Sequence, residues 1–101
     1  MKIVRVQYTT TAEYASRNKE NIRQVVNEVR ELNHPGINYS AYLMPDGKTF
    51  MHFDQFENEE AHSVLTELES FKKFSDELLA SNLEADPKLE LLSLVSSSEN
   101  F

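Results

Sequence analysis

The side chains of this chain best suited to hold a ligand or move a proton are His52, Tyr39 and Asn18, and each stands where apolar residues are the rule. His52 sits in the middle of an otherwise aromatic and aliphatic segment, so its titratable imidazole must be hydrogen-bonded or put to use. A structural histidine bonded across a sheet or a subunit seam is the plain reading. Contact with a ligand, or proton transfer, is the sharper one. Tyr39 and Tyr42 can orient a bound ring through their phenols, although such residues more often simply pack. Asn18 falls between Ala15 and Ile22 on an apolar stripe, and a buried amide there needs partners from water, a ligand or a neighbouring strand.

Other chemistries have less to stand on. His34, beside Pro35, reads as a loop residue, and His62 borders the apolar stripe of a later helix. His52, His62 and Asp54 lack the local spacing of a metal motif, so neither a metal nor another cofactor is expected. The two glycines both fall in turns, which leaves no glycine-rich phosphate loop and no nucleophile elbow. Seventeen acidic against ten basic residues give a net charge of -7, which repels a nucleic-acid backbone or an anionic membrane at long range. With no cysteine the chain has neither disulfide nor thiolate site, which suits a reducing cytoplasm. The opening Met1-Lys2-Ile3-Val4-Arg5-Val6 puts an arginine in its only apolar stretch and lacks a small-residue cleavage site. No apolar run approaches the ~20 residues that span a bilayer, so a cytoplasmic, unprocessed protein is expected.

The elements that must position these groups can be read from periodicity. Residues 2–8 alternate Val4, Val6 and Tyr8 with Ile3, Arg5 and Gln7, the period of a strand. Thr10-Thr11-Ala12-Glu13 fits a capping box and predicts a helix start. Ala15, Asn18, Ile22, Val25, Val26, Val29 and Leu32 then recur at helical steps until Asn33-His34-Pro35-Gly36 stops them. Residues 37–44 and 49–56 flank Pro45-Asp46-Gly47 and predict a hairpin. A three-residue turn with a glycine bulge would set Met44 opposite Lys48, Tyr42 opposite Phe50 and Ser40 opposite His52.

Asn58, followed by Glu59 and Glu60, caps a second helix with Ala61, Val64, Leu65 and Leu68 on its buried stripe. Near Glu69-Ser70 the stripe restarts on a shifted phase through Phe71, Phe74, Leu78 and Leu79, which predicts a kink or a further short helix. Asp86-Pro87 marks the exit, residues 89–95 read as the fourth strand, and a loose tail is expected over residues 97–101.

The order β-α-β-β-α-β within a hundred residues defines an α+β, ferredoxin-like domain over residues 1–96. Its four-stranded antiparallel sheet carries helices on one face. The predicted register leaves large apolar groups on both faces of the hairpin: Ile37, Tyr39, Ala41, Leu43, Met51 and Phe53 on one, Tyr42, Met44, Phe50 and Phe56 on the other. Leaving the second face in water would expose more apolar surface than a monomer usually tolerates, so a symmetric homodimer through that face is expected. Arg5 and Gln7 would then share a face with His52 and Asp54. An Arg5–Asp54 ion pair at the seam is the conservative reading of that patch, and the lining of a small cavity is the other.

Around Gly36-Ile37-Asn38-Tyr39, Asp46-Gly47-Lys48-Thr49-Phe50-Met51-His52 and Leu68-Glu69-Ser70-Phe71-Lys72-Lys73-Phe74 the sequence resembles the dimeric α/β-barrel superfamily. It is most similar there to small bacterial proteins of the antibiotic biosynthesis monooxygenase-like kind. The resemblance implies a dimeric α/β barrel over nearly the whole chain. It leaves the activity open, because one fold hosts many activities. The haem-degrading branch of that superfamily uses a tryptophan, and this chain has none, so no catalytic set is carried over. Two functions follow as expectations. One is a monooxygenase-like enzyme or binder that holds a small aromatic compound with His52, Tyr39 and Asn18. The other is a non-catalytic dimeric module, stress-associated or regulatory, whose buried polar groups only set register.

Overall fold

A computed structural model describes residues 1–99 of the chain. Its elements are β1 (Lys2–Thr9), α1 (Ala15–Leu32), β2 (Ile37–Leu43), β3 (Thr49–Phe56), α2 (Glu59–Thr66), α3 (Glu69–Leu79) and β4 (Ala85–Leu92). The four strands form one antiparallel sheet in the order β2-β3-β1-β4, with the helices on one face. This is the ferredoxin-like arrangement expected from the sequence, and the shifted phase after Leu68 resolves into two helices. The core lies between sheet and helices and is built on Val4, Tyr8, Val25, Phe50, Phe56 and Leu65. Among the described residues no helix is long and apolar enough to cross a membrane.

Local chemistry sets the boundaries. The expected capping box over residues 10–13 does not form: Thr10 Oγ1 donates to the Lys48 carbonyl at 3.2 Å, Tyr14 N–H donates to Thr11 Oγ1 at 3.2 Å, and the helix starts at Ala15. At its other end Asn33 adopts the left-handed conformation (φ 50°) that commonly closes a helix. Asn58 caps α2 as expected, accepting from Ala61 N–H at 2.8 Å.

Two expectations about strands are corrected. The hairpin loop is residues 45–48, and Met44 faces Thr49, its N–H donating to the Thr49 carbonyl at 2.8 Å. The cause is Asp46, whose carboxylate accepts from the backbone N–H groups of Lys48 and Thr49 at 3.0 and 2.8 Å and from the Thr49 hydroxyl. That carboxylate bracket organises the turn. Gly47 supplies the positive φ (77°) the turn needs, but the three-residue form does not occur. The register is thus one residue from the one expected, with Ala41 opposite His52 and Leu43 opposite Phe50. Such a slip turns every side chain of one strand to the other face relative to its neighbour. Phe50, His52, Asp54 and Phe56 therefore join Tyr39 on the helix side, and the outer face carries Ile3, Tyr42, Met51, Phe53 and Leu92 among polar groups.

The fourth strand begins earlier than expected, at Ala85, and Asp86-Pro87 lie within it. Gln7 pairs with Lys88 and Thr9 with Ala85, so Asp86 and Pro87 together oppose Tyr8 in a β-bulge. An edge strand tolerates proline at such a point because no ladder bond is lost. Residues 93–99 add no helix or strand, and the last two residues of the expected tail lie outside the described part of the chain.

Candidate functional site

The register that sends His52 inward also decides its neighbours. Val6 is its cross-strand partner on β1, and Tyr8 lies two residues further along the same face. His52 is 3% exposed, and its Nε2 lies 2.7 Å from the Tyr8 hydroxyl. That hydroxyl accepts from Asn18 Nδ2 at 2.8 Å. The Tyr8 hydroxyl and His52 Nε2 thus share one hydrogen bond, whose donor is set by the imidazole tautomer. Burial pushes the His52 pKa down to about 4 and the Tyr8 phenol well above its ordinary value, so both groups are neutral at neutral pH.

Beside this chain lies a cavity of about 150 Å³ between the sheet and α3. Val6 and Tyr8 from β1, Tyr39 from β2, and His52 and Asp54 from β3 form its floor. Phe71, Phe74, Ser75, Leu78 and Leu79 from α3 form its roof, and Pro87 reaches it from the bulge of β4. Aromatic rings surround the imidazole: the centroids of Tyr8, Tyr39 and Phe74 lie 5.4, 5.7 and 5.5 Å from that of His52.

Two polar tips of the lining have no partner. The Tyr39 hydroxyl and Asp54 Oδ1 are both wholly buried without a hydrogen bond. Asp54 is 8% exposed, and burial pushes its pKa up to about 7, so the carboxyl is close to half protonated at neutral pH. Tyr39 is its cross-strand partner, and its phenol is raised well above the ordinary value by burial first and then by the nearby Asp54 charge.

The roof is pinned to α1 and not to the floor. Arg17 holds Glu77 with both arms of its guanidinium, at 2.9 and 3.2 Å, and Asn21 donates to the same carboxylate at 3.0 Å. At the far end Glu28 accepts from both the N–H and the hydroxyl of Ser70. These clasps fix α3 above the sheet and hold the cavity open between them.

Of the residues singled out from sequence, His52 and Tyr39 line the cavity, whereas Asn18, 0% exposed, stands behind Tyr8 and reaches the site only through it. Tyr42 is on the outer face, 59% exposed and edge-on to Phe53. His34 accepts from Gly36 N–H in its loop, and His62 stacks on Phe56 at 4.5 Å, away from the cavity. The expected Arg5–Asp54 pair does not form, because the two side chains point to opposite faces. Arg5 binds Glu90 at 2.6 Å and also Gln7. Among the described residues no three histidine, aspartate or glutamate side chains converge as metal ligands. Tyr8 is not singled out for the cavity by sequence, and Asp54 is offered a cavity there only together with Arg5, which the structure places on the opposite face. The available signal was Tyr8 on the same alternating face as Val4 and Val6, which carries its hydroxyl under the helices.

The fold defines the class. Solved structures that superpose on this chain include an antibiotic biosynthesis monooxygenase (TM-score 0.80, 17% identity, covering 95% of this chain and 100% of that one). A Mycobacterium tuberculosis protein gives a TM-score of 0.79 at 12% identity, covering 97% and 98%. A Pseudomonas aeruginosa protein gives 0.77 at 20% identity, covering 94% of each chain. The chain thus has the fold of the antibiotic biosynthesis monooxygenase-like proteins. No protein-family model matches the sequence, and no curated protein matches it either.

Proposed function

We propose that this protein is a monooxygenase-like enzyme or binder that holds a small aromatic compound in the cavity between sheet and α3. The observation that carries the reading is a cavity walled almost wholly by aromatic and aliphatic groups, with the His52 imidazole and the Asp54 carboxyl among its lining. Apolar walls with a few converging polar groups are what a small-ligand site requires. An apolar cavity of about 150 Å³ admits a benzene-sized guest, which argues for a single ring. His52 and Tyr39 would contact the ligand, and Asn18 would act by fixing Tyr8. The fold likeness to an antibiotic biosynthesis monooxygenase supports oxygen chemistry on such a ring.

The test is a panel of monocyclic phenols, anilines and benzylic compounds, followed by thermal shift and by oxygen consumption. A ligand at a hundred times its Kd raises stability by about 2.7 kcal/mol, which a melting curve resolves. Oxygen uptake that requires both protein and ring compound supports the enzyme, and a shift without uptake supports the binder. A flat response across the panel overturns both. It favours the non-catalytic module, in which the Asn18–Tyr8–His52 chain gives the histidine a purely structural task.

The same proposal places the protein in the cytoplasm as a homodimer joined through the outer face. Ile3, Tyr42, Met51, Phe53 and Leu92 supply its apolar contacts around the Arg5–Glu90 pair. Sedimentation at micromolar concentration tests this: one 11.7 kDa species excludes the dimer.

A further inference from the structure

The cavity holds a carboxyl group and no cation. No lysine or arginine lines it: Lys73 on α3 donates to Gln24, and Lys72 on α3 also lies outside the lining. Arg5 on β1 is paired with Glu90 on the outer face, and Lys2 with Glu59 on α2. Arg17 on α1 is paired with Glu77 on α3, and Lys48 at the hairpin with Glu84. Lys88 and Asp86 on β4 border a groove with Arg5 on the other side of the sheet. Within the cavity the remaining titratable groups are His52, Tyr8 and Tyr39, all neutral at neutral pH. Asp54 therefore has neither a counter-charge nor a hydrogen-bond donor, which is a costly way to bury a carboxylate.

Its surroundings specify what is missing. The rings of Tyr8, Tyr39, Phe71 and Phe74 line the cavity, and aromatic faces carry negative charge density that attracts a cation. The Tyr39 hydroxyl adds a second oxygen without a partner, on the strand directly beside Asp54. An ammonium group is positive, has three donors and no acceptor, and so supplies both the charge and the donor that Asp54 lacks. An anionic ring would face the Asp54 charge with nothing to offset it.

We propose that the ligand of this cavity is a small arylalkylamine bound as its ammonium ion, with the nitrogen at Asp54 and the ring against Phe71 and Phe74. This inference rests on reading the cavity as the site of a small aromatic compound, and it narrows that compound to one chemical class. Binding selects the ionised form of Asp54. With the free carboxyl near pH 7, affinity falls as the pH drops below that point, and binding there expels a proton.

Calorimetry on the full chain with benzylamine, benzyl alcohol and benzoate tests it, at a pH one unit above and one unit below the Asp54 midpoint. Benzylamine is expected to bind best at the higher pH, about tenfold more weakly at the lower one, and with net proton release at the lower pH. Benzyl alcohol should bind more weakly with no pH dependence, and benzoate not at all. Asp54→Asn should cost benzylamine at least about tenfold and leave benzyl alcohol unchanged. If Asp54→Asn does not fold, the comparison of the three compounds on the natural chain decides. Benzyl alcohol binding as tightly as benzylamine, or benzylamine binding without pH dependence, overturns the amine while leaving the aromatic site intact. If none of the three binds, both readings fall.

Discussion

The cavity is lined by two tyrosines whose hydroxyls are differently treated. Tyr8 accepts from Asn18 and is bonded to His52, so its hydroxyl is fully engaged, although Asn18 Oδ1 is buried without a partner. Tyr39, across β3 on the edge strand β2, ends at an unpartnered oxygen, as does its cross-strand partner Asp54. A satisfied buried network fixes a fold, and an unsatisfied one weakens it unless something else completes it. The first pair of groups is explained by folding alone. The second is what the proposed guest would complete.

The largest expected effect separates the two titrating members. Asp54 has a folded pKa near 7 against an ordinary 3.8, so its burial costs nothing at low pH and progressively more as the pH rises from about 4 to 7. His52 has a folded pKa near 4 against 6.5, so its contribution is complete above about pH 6.5 and is lost as the pH falls towards 4. The two slopes oppose each other and should leave the natural chain with a nearly flat profile between those limits. Asp54→Asn should remove a penalty of up to about 4 kcal/mol above pH 7 and expose the rising His52 slope. Urea unfolding at several pH values measures it. A variant no more stable than the natural chain at pH 8 breaks the contrast.

Smaller and opposite effects are expected from the tyrosines. Tyr8→Phe strands the Asn18 amide and His52 Nε2, and should cost about 2 kcal/mol at neutral pH, seen as a lower Tm. Tyr39→Phe removes a hydroxyl that bonds to nothing, so stability should hold or rise by less than about 1 kcal/mol. Equal losses in the two variants would show that Tyr39 is as firmly engaged as Tyr8.

The sequence made the elements legible and the register illegible. Period-two and helical patterns located every strand and helix, including the break after Leu68, because each repeats over several residues. The hairpin register depends on one side chain. Asp46 brackets Lys48 and Thr49, and nothing in the alternation of residues 49–56 corrects the resulting slip, since Phe50 and Phe56 are matched by Met51 and Phe53 on the other face. His52 and Tyr39 stand out in sequence as polar groups in apolar company. Asp54 reads equally well as the partner of Arg5 until the register places them on opposite faces. Tyr8 looks like ordinary core, and its part follows only from the hydroxyl's distance to His52.

The bulge at Asp86 and Pro87 also bears on how this molecule avoids its own kind. β4 is an outermost strand, and a foreign strand laid along it would need an unbroken row of amide donors. Pro87 offers none, and the extra residue bends the ribbon at the same place. Open-ended stacking of one sheet onto the next, the first step towards fibres, is thereby interrupted at this border.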